Sequence, residues 1–241
     1  METSELAARL SAWIKEKVEE AGRKGVVFGL SGGIDSAVVA GLAKRAFPHN
    51  SLGVIMPCHS LPQDAEHARL VAERFDLPVR EIILDEAYDA LLSTLRAAEP
   101  SSPKELALAN IKPRLRMITL YYLATQHDYL VLGTGNKSEL TVGYFTKYGD
   151  AGVDLLPLGN LVKEQVRALA RYLGVPEAVI AKAPSAGLWE GQTDEAEMGL
   201  TYAELDRYIL TGEGRPEVIG RIQAMRQKSE HKRRLPPVPD F

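Results

Sequence analysis

The chain has 241 residues, with 29 Lys and Arg against 32 Asp and Glu, for a net charge of −3. That length is ample for a hydrophobic core, and the near-balanced charge argues against a general nucleic-acid or membrane-surface binder. The single cysteine, Cys58, excludes an internal disulfide framework and a Cys-paired zinc site.

Taken in chain order, the opening METSELAARLSAWIKEKVEE carries charges every few residues and has no apolar signal-peptide segment. Leu6, Leu10, Trp13, Ile14 and Val18 recur at helical spacing and predict an amphipathic helix ending near Gly22. Short apolar runs of strand length follow at 26–30, 52–56, 79–84 and 129–132. Helical patterning separates them at about 37–46, 63–75, 86–97 and 111–126. Runs that are apolar on both faces suit a parallel sheet covered by helices, so the fold class is α/β, doubly wound and Rossmann-like, with about five strands. The EPSSPK stretch at 99–104 is a linker within the sheet region, and after Gly174 the chain reads as helices and loops. The longest apolar runs, such as 117–124, fall short of the roughly 18 residues of a membrane span. A cytoplasmic protein that engages neither membrane nor nucleic acid is therefore expected.

The first predicted strand runs into Ser31-Gly-Gly-Ile-Asp-Ser36 and then into a helix. A strand, a Ser/Gly turn and a helix start gather free backbone N–H groups and a positive helix end around one point, which suits a phosphate. Asp35 beside a phosphate is repulsive unless a cation lies between them, which suggests Mg2+; alternatively Asp35 complements the helix dipole. The loop lacks the Gly-Lys-Ser/Thr ending of a Walker A sequence and is not a GxGxxG fingerprint.

This loop resembles the pyrophosphate loop of the N-type ATP pyrophosphatases, which cleave ATP between its α- and β-phosphates and adenylate an acceptor. By itself the motif leaves open NAD synthetases, GMP, asparagine and argininosuccinate synthetases, and tRNA-modifying enzymes. The stretch 133–158, GTGNKSELTVGYFTKYGDAGVDLLPL, is similar to the signature of the NAD synthetase family. Further similarities lie at 110–117 (NIKPRLRM), 188–195 (LWEGQTDE) and 231–237 (HKRRLPP), so the resemblance spans nearly the whole chain in order.

The resemblance implies an enzyme that amidates deamido-NAD with ATP and ammonia, through an NAD-adenylate, releasing AMP and pyrophosphate. It places ATP on Gly29, Leu30, Ser31, Gly32, Gly33, Ile34, Asp35 and Ser36, with Thr134, Lys163 and Ser185 as further contacts. Lys163 supplies the cation that the loop lacks. Asp35 and Glu139 match the Mg2+ carboxylates, and Arg114, Lys147, Asp154, His231 and Lys232 match positions that hold deamido-NAD. Asp35, Lys163, Asp150 and Asp154 are the catalytic candidates, Asp150 as acceptor of a proton from ammonium. Tyr144 and Phe145 are candidates to stack on a pyridine ring. The family implies a homodimer.

Met56–Leu61 departs from the family pattern, so no residue there is assigned; Cys58 reads as a small buried residue. Pro184–Glu197, with little periodicity, is expected to be a loop closing over ATP. A tRNA thiolase is the alternative reading; it would call for a basic surface and paired cysteines. One domain over 1–241 is expected, with the sheet core at about 22–175 and helices and loops at about 176–241. Only 30 residues precede Ser31, whereas an amidase domain needs on the order of 100, so ammonia rather than glutamine is the expected nitrogen source.

Overall fold

The computed structural model describes residues 1–99, 101–185, 191 and 193–241. Helix α1 (Thr3–Glu20) leads into β1 (Gly25–Gly29), α2 (Ile34–Ala46), β2 (Ser51–Ile55), α3 (Pro62–Arg74), β3 (Val79–Glu81) and α4 (Asp85–Ala98). Short α5 (Glu105–Ala109) and long α6 (Ile111–His127) precede β4 (Tyr129–Leu132) and α7 (Lys137–Val142). The rest is helical: α8 (Lys163–Leu173), α9 (Glu177–Ile180), α10 (Asp194–Met198), α11 (Tyr202–Thr211), α12 (Pro216–Lys228) and α13 (Glu230–Arg233).

The four strands form one parallel sheet in the order β3-β2-β1-β4. The chain steps outward from β1 to β2 and β3, then crosses back to lay β4 on the other side of β1. That reversal puts a crevice at the C-terminal ends of β1 and β4, where open α/β sheets receive ligands. The fifth strand expected from the sequence is reduced to a single bridge between Leu132 and Leu155. Residues 154 and 155 both donate their N–H groups to the Val131 carbonyl, and Pro157, lacking an N–H, stops any further ladder.

Both sheet faces are covered, as the uninterrupted apolar strands require. Val26, Phe28, Leu30 and Leu132 pack with α1, α2 and α8, while Val27, Val54 and Val131 pack beneath α6 with Leu120 and Ala124. Helix α2 is buried along nearly its whole length, so the loop before it is held on a rigid mount. A smaller cluster joins α7 to the C-terminal helices through Val142, Met198, Tyr202, Leu205 and Ile222.

The last helix grips the end of α7. Ser229 donates its hydroxyl to the Val142 carbonyl, Lys232 Nζ donates to the Gly143 and Phe145 carbonyls, and Arg233 donates to the Leu140 carbonyl at 3.1 Å. Gly143, at φ +72, ends α7; a Cβ there would lie 2.1 Å from Ser229 Cβ, so only glycine permits this approach. Among the described residues no helix is long and apolar enough to cross a membrane.

Candidate active site

The Ser31–Ser36 loop sits at the C-terminal end of β1, and Gly33 is the N-cap of α2. Gly32 takes φ +74, and a Cβ on it would lie 2.2 Å from the Asp64 carbonyl oxygen, so glycine is required there. Gly33 is extended instead. Ser36 Oγ accepts from the Ser31 N–H at 3.2 Å, lies 3.0 Å from Ser31 Oγ and donates to the Gly33 carbonyl at 2.9 Å, which closes the loop on itself.

Asp35 projects from the first turn of α2 toward the end of β4. Asn136 opens α7 with a capping box: its side chain accepts the Glu139 N–H while Glu139 Oε2 accepts the Asn136 N–H. The same Asn136 donates Nδ2 to Asp35 Oδ1 at 2.8 Å, tying the two helix starts together. Lys163 opens α8, and its ammonium lies 2.5 Å from Asp35 Oδ2 and 3.3 Å from Glu139 Oε1.

Lys163 is 1% exposed. Burial alone would discharge it, but Asp35 and Glu139 outweigh that effect and hold its pKa above the ordinary lysine value. For Glu139 burial is the largest cause and Asp35 the next, and together they push its carboxyl up to about 7 despite Lys163. The Tyr202 ring lies 4.8 Å from the Lys163 ammonium, and its hydroxyl donates to Asp194 Oδ2 at 2.8 Å and to Glu139 Oε1 at 3.4 Å. Asp206 fixes the Lys163 backbone from behind: it accepts from Ser138 Oγ and from the Glu164 N–H, and Ser138 Oγ in turn accepts the Lys163 N–H.

Asp35, Glu139, Lys163 and Asp194 line one cavity of about 1000 Å³, and Asn136, Ser138, Tyr202 and Asp206 support them without bordering it. Gly29, Leu30, Ser31, Gly33, Ile34, Asp35, Ser36, Thr134, Glu139, Lys163 and Ser185 border it, as do Arg114, Lys147, Asp150, His231 and Lys232. Gly32 shapes the loop without lining the cavity. One wall is basic. Arg114 Nη2 donates to the Lys147 carbonyl, Lys147 Nζ to the His231 carbonyl at 2.7 Å, and Lys232 lies 5.3 Å from the Phe145 ring centroid. The Arg114, Lys147 and Lys232 side chains are thus braced by backbone carbonyls.

Asp154 is not brought into this cavity. Its carboxylate accepts the Val131 N–H at 2.8 Å and the Tyr121 hydroxyl at 3.0 Å, an arrangement that holds the chain against the edge of β4. Asp150 reaches the cavity, and one of its oxygens accepts the Thr146 N–H at 2.8 Å, closing the turn through Tyr148 at φ 59. Tyr144 and Phe145 both line the cavity; the Tyr144 hydroxyl donates to Glu197.

Several lining or supporting groups had no assignment from sequence. Met56, His59 and Ser60 border the cavity, and Arg116 braces that segment by donating to the Met56 carbonyl and to Ser60 Oγ. Lys182 pairs with Asp64 at 2.5 Å on the cavity wall. Cys58 is fully buried, and burial pushes its thiol up. In the expected loop at Pro184–Glu197, residues 186–190 and 192 lie outside the described residues, as does most of the 188–192 stretch. The end of that segment is not loop: Asp194 begins α10, capped by the Thr193 hydroxyl.

The NAD synthase family model matches residues 6–236. An NH(3)-dependent NAD(+) synthetase of Carboxydothermus hydrogenoformans is 59% identical over 235 residues, covering 98% of this chain and 97% of that protein. Among solved structures, an NMN synthetase from Francisella tularensis aligns at TM-score 0.95 with 38% identity, over 100% of both chains. The NH3-dependent NAD synthetase from Campylobacter jejuni aligns at TM-score 0.82 with 32% identity, again over 100% of both chains.

Proposed function

The chain belongs to the NAD synthase family, and from that membership we propose that the cavity carries out the ammonia-dependent, ATP-driven amidation of deamido-NAD to NAD. The enzyme is a ligase forming a C–N bond, like its NH(3)-dependent relative. The observation that carries the reading is the meeting of Asp35, Glu139 and Lys163 at the crevice between β1 and β4, opposite a basic wall.

In the first half-reaction a nicotinate carboxylate oxygen attacks the α-phosphorus of ATP, the bond to the β-phosphate oxygen breaks, and pyrophosphate leaves. In the second, ammonia nitrogen attacks the activated carbonyl carbon, the bond from that carbon to the adenylate oxygen breaks, AMP departs with the bonding electron pair, and the nitrogen sheds its surplus proton to water. Neither step needs a covalent enzyme nucleophile, so catalysis is positioning and charge neutralisation. The N–H groups of the Ser31–Ser36 loop and the α2 N-terminus receive phosphate oxygens. Lys163 offsets charge building on the pyrophosphate, and Thr134 and Ser185 offer hydroxyls. Arg114, Lys147, His231 and Lys232 hold the acceptor's phosphates and carboxylate. Asp154, occupied at the edge of β4, has no assigned step within this cavity.

Asp35 and Glu139 already converge on one cationic atom, Lys163 Nζ, so they fit a hard divalent cation whose remaining ligands are phosphate oxygens and water. Mg2+ held there would screen the phosphates and favour pyrophosphate as a leaving group.

A second reading of the acceptor rests on the likeness to the NMN synthetase at TM-score 0.95. Nicotinate mononucleotide carries the same carboxylate and lacks only the distal adenylate. Purified protein with MgATP and ammonium chloride, given each acceptor separately, distinguishes the two by kcat/KM. Preference for deamido-NAD supports the first reading, preference for the mononucleotide the second, and pyrophosphate release with neither acceptor rejects both. Ammonium-free glutamine in place of ammonium chloride is expected to yield no product. A tRNA thiolase would need reachable sulfur chemistry, which buried Cys58 does not offer.

We further propose a cytoplasmic homodimer. Helix α4 exposes Leu91 and Leu95 one turn apart, and α6 exposes Ile118 and Tyr122 one turn apart, 59% and 64% open, apolar surface that a second copy would cover. A monomer by sedimentation, fully active at the same concentration, rejects the dimer.

A further inference from the structure

Asp194 is 4% exposed and borders the cavity. Its backbone N–H donates to the Pro184 carbonyl at 3.0 Å, and its Oδ2 accepts the Tyr202 hydroxyl at 2.8 Å. Among the described residues its other oxygen, Oδ1, is buried and has no close hydrogen-bond partner, with the Tyr144 hydroxyl facing the same carboxylate. A buried carboxylate oxygen in that condition is costly, and a native structure that retains one calls for a ligand or a reason. Burial raises the Asp194 carboxyl above its usual range, with Tyr202 and Lys163 acting against the shift.

The charge layout says what ligand fits. Asp35, Glu139, Asp194 and Glu197 all border one end of the cavity, and Lys163 is the ammonium in contact with the first two. The opposite wall carries Arg114, Lys147 and Lys232. Anionic substrates belong at the basic wall, and the acidic end is left with more negative than positive charge. Asp194 is linked to Glu139 through the Tyr202 hydroxyl at Oδ2, so a divalent cation on Asp35 and Glu139 would leave its Oδ1 unused. A single carboxylate oxygen flanked by the Tyr202 and Tyr144 side chains is a poor site for Mg2+, which demands six oxygens in near-octahedral order. It suits a monovalent cation with N–H donors.

We propose that Asp194 Oδ1, with Tyr202 and Tyr144 beside it, forms the binding site for an ammonium cation, which releases one proton to water before its nitrogen, as ammonia, attacks the activated carbonyl carbon. The proposal rests on the ammonia-dependent reading of the cavity. It assigns nitrogen capture to the acidic corner on α10 and α11 rather than to Asp150, one of whose oxygens caps the 146–150 turn.

The test is the ammonium dependence of product formation at fixed pH. Asp194→Asn keeps the shape and an acceptor for the Tyr202 hydroxyl while removing the charge. KM for ammonium should rise about tenfold or more, the weight of one charge-assisted contact, while KM for MgATP and for the acceptor stays within about twofold. An unchanged ammonium KM in the folded variant overturns the proposal. If the variant does not fold, wild-type crystals soaked in thallium(I), a monovalent cation close to ammonium in size, take its place. An anomalous peak beside Asp194 Oδ1 supports the site, and its absence overturns it. Absence of any product from wild-type protein with saturating ammonium would count against the enzymatic reading instead, so the two failures are distinguishable.

Discussion

Lys163 and Asp35, 128 residues apart in sequence, meet at 2.5 Å inside the protein. The contact joins the start of α8 to the start of α2, and Glu139 on α7 completes a cluster of two carboxylates on one ammonium. Removing the cation leaves two facing buried carboxylates. Lys163→Met should lose about 3–5 kcal/mol of stability, as expected for breaking a buried pair, and turnover should fall by orders of magnitude. Mg2+ alone should raise the melting temperature of this variant more than that of the wild type. Thermal melts with and without Mg2+ check it; wild-type stability in the variant would refute the account of the cluster.

Asp35→Asn tests the metal-facing charge with less disturbance. The amide retains an oxygen to accept the Asn136 Nδ2 bond, so the fold should persist. Product formation should drop about a hundredfold or more, because the proposed Mg2+ would lose a ligand. Circular dichroism together with the ammonium-dependent assay reads both arms, and unchanged turnover in folded protein rejects the Mg2+ assignment.

Gly32 and Gly212 both take positive φ, +74 and +76, yet they differ in surroundings. A Cβ on Gly32 meets the Asp64 carbonyl at 2.2 Å, whereas a Cβ on Gly212 meets nothing within 4 Å. Gly212→Ala should cost about 1 kcal/mol of backbone strain and leave kinetics alone. Gly32→Ala should cost more, about 1–3 kcal/mol, and raise KM for MgATP as the loop is pushed off Asp64. Equal kinetics in the two variants would separate the loop from nucleotide binding.

Glu204 caps α11: Thr201 donates its N–H to Glu204 Oε2 at 3.0 Å, and Arg215 pairs with Oε1. The Thr201 N–H, then Arg215, hold its carboxyl down to about 2. A carboxyl whose folded pKa lies below its unfolded value near 4.5 gives its full stabilisation above pH 4.5, and that contribution is lost as the pH falls toward 2. Glu204→Gln should therefore flatten the stability profile between about pH 4.5 and 2, and Glu204→Ala should cost about 1 kcal/mol at neutral pH. Denaturant titrations across that range provide the check.

Much of this architecture was readable from local pattern. The apolar runs at 26–30, 52–56 and 129–132 fell on strands, and the periodic stretches fell on α2, α3, α4 and α6 within a few residues. Helix α2 starts three residues earlier than the pattern indicates, because it begins inside the Ser31–Ser36 loop, where Gly33 is its cap. Pairings between distant elements were not readable. The Asn136 and Glu139 capping box has a visible spacing, but its bond to Asp35 spans 101 residues. Asp206 is 3% exposed because it caps α8 rather than facing water, and nothing in the local sequence marks that partner. The roles of Tyr202 and Asp194 are hidden from local pattern for the same reason: their partners arrive only through tertiary packing.

The grip of the last helix on α7 also bears on how the protein is made. The carbonyls at the end of α7 find their side-chain donors 87 to 93 residues further along the chain. During synthesis the sheet and the phosphate loop emerge first, and the helix carrying Glu139 has its end unsupported until residues 229–233 have left the ribosome. A nascent chain stalled before that point would hold a folded sheet with one of the two carboxylates around Lys163 on a loosened helix. The carboxylate end of the proposed site would then be completed only once residues 229–233 are made, later than the loop before α2.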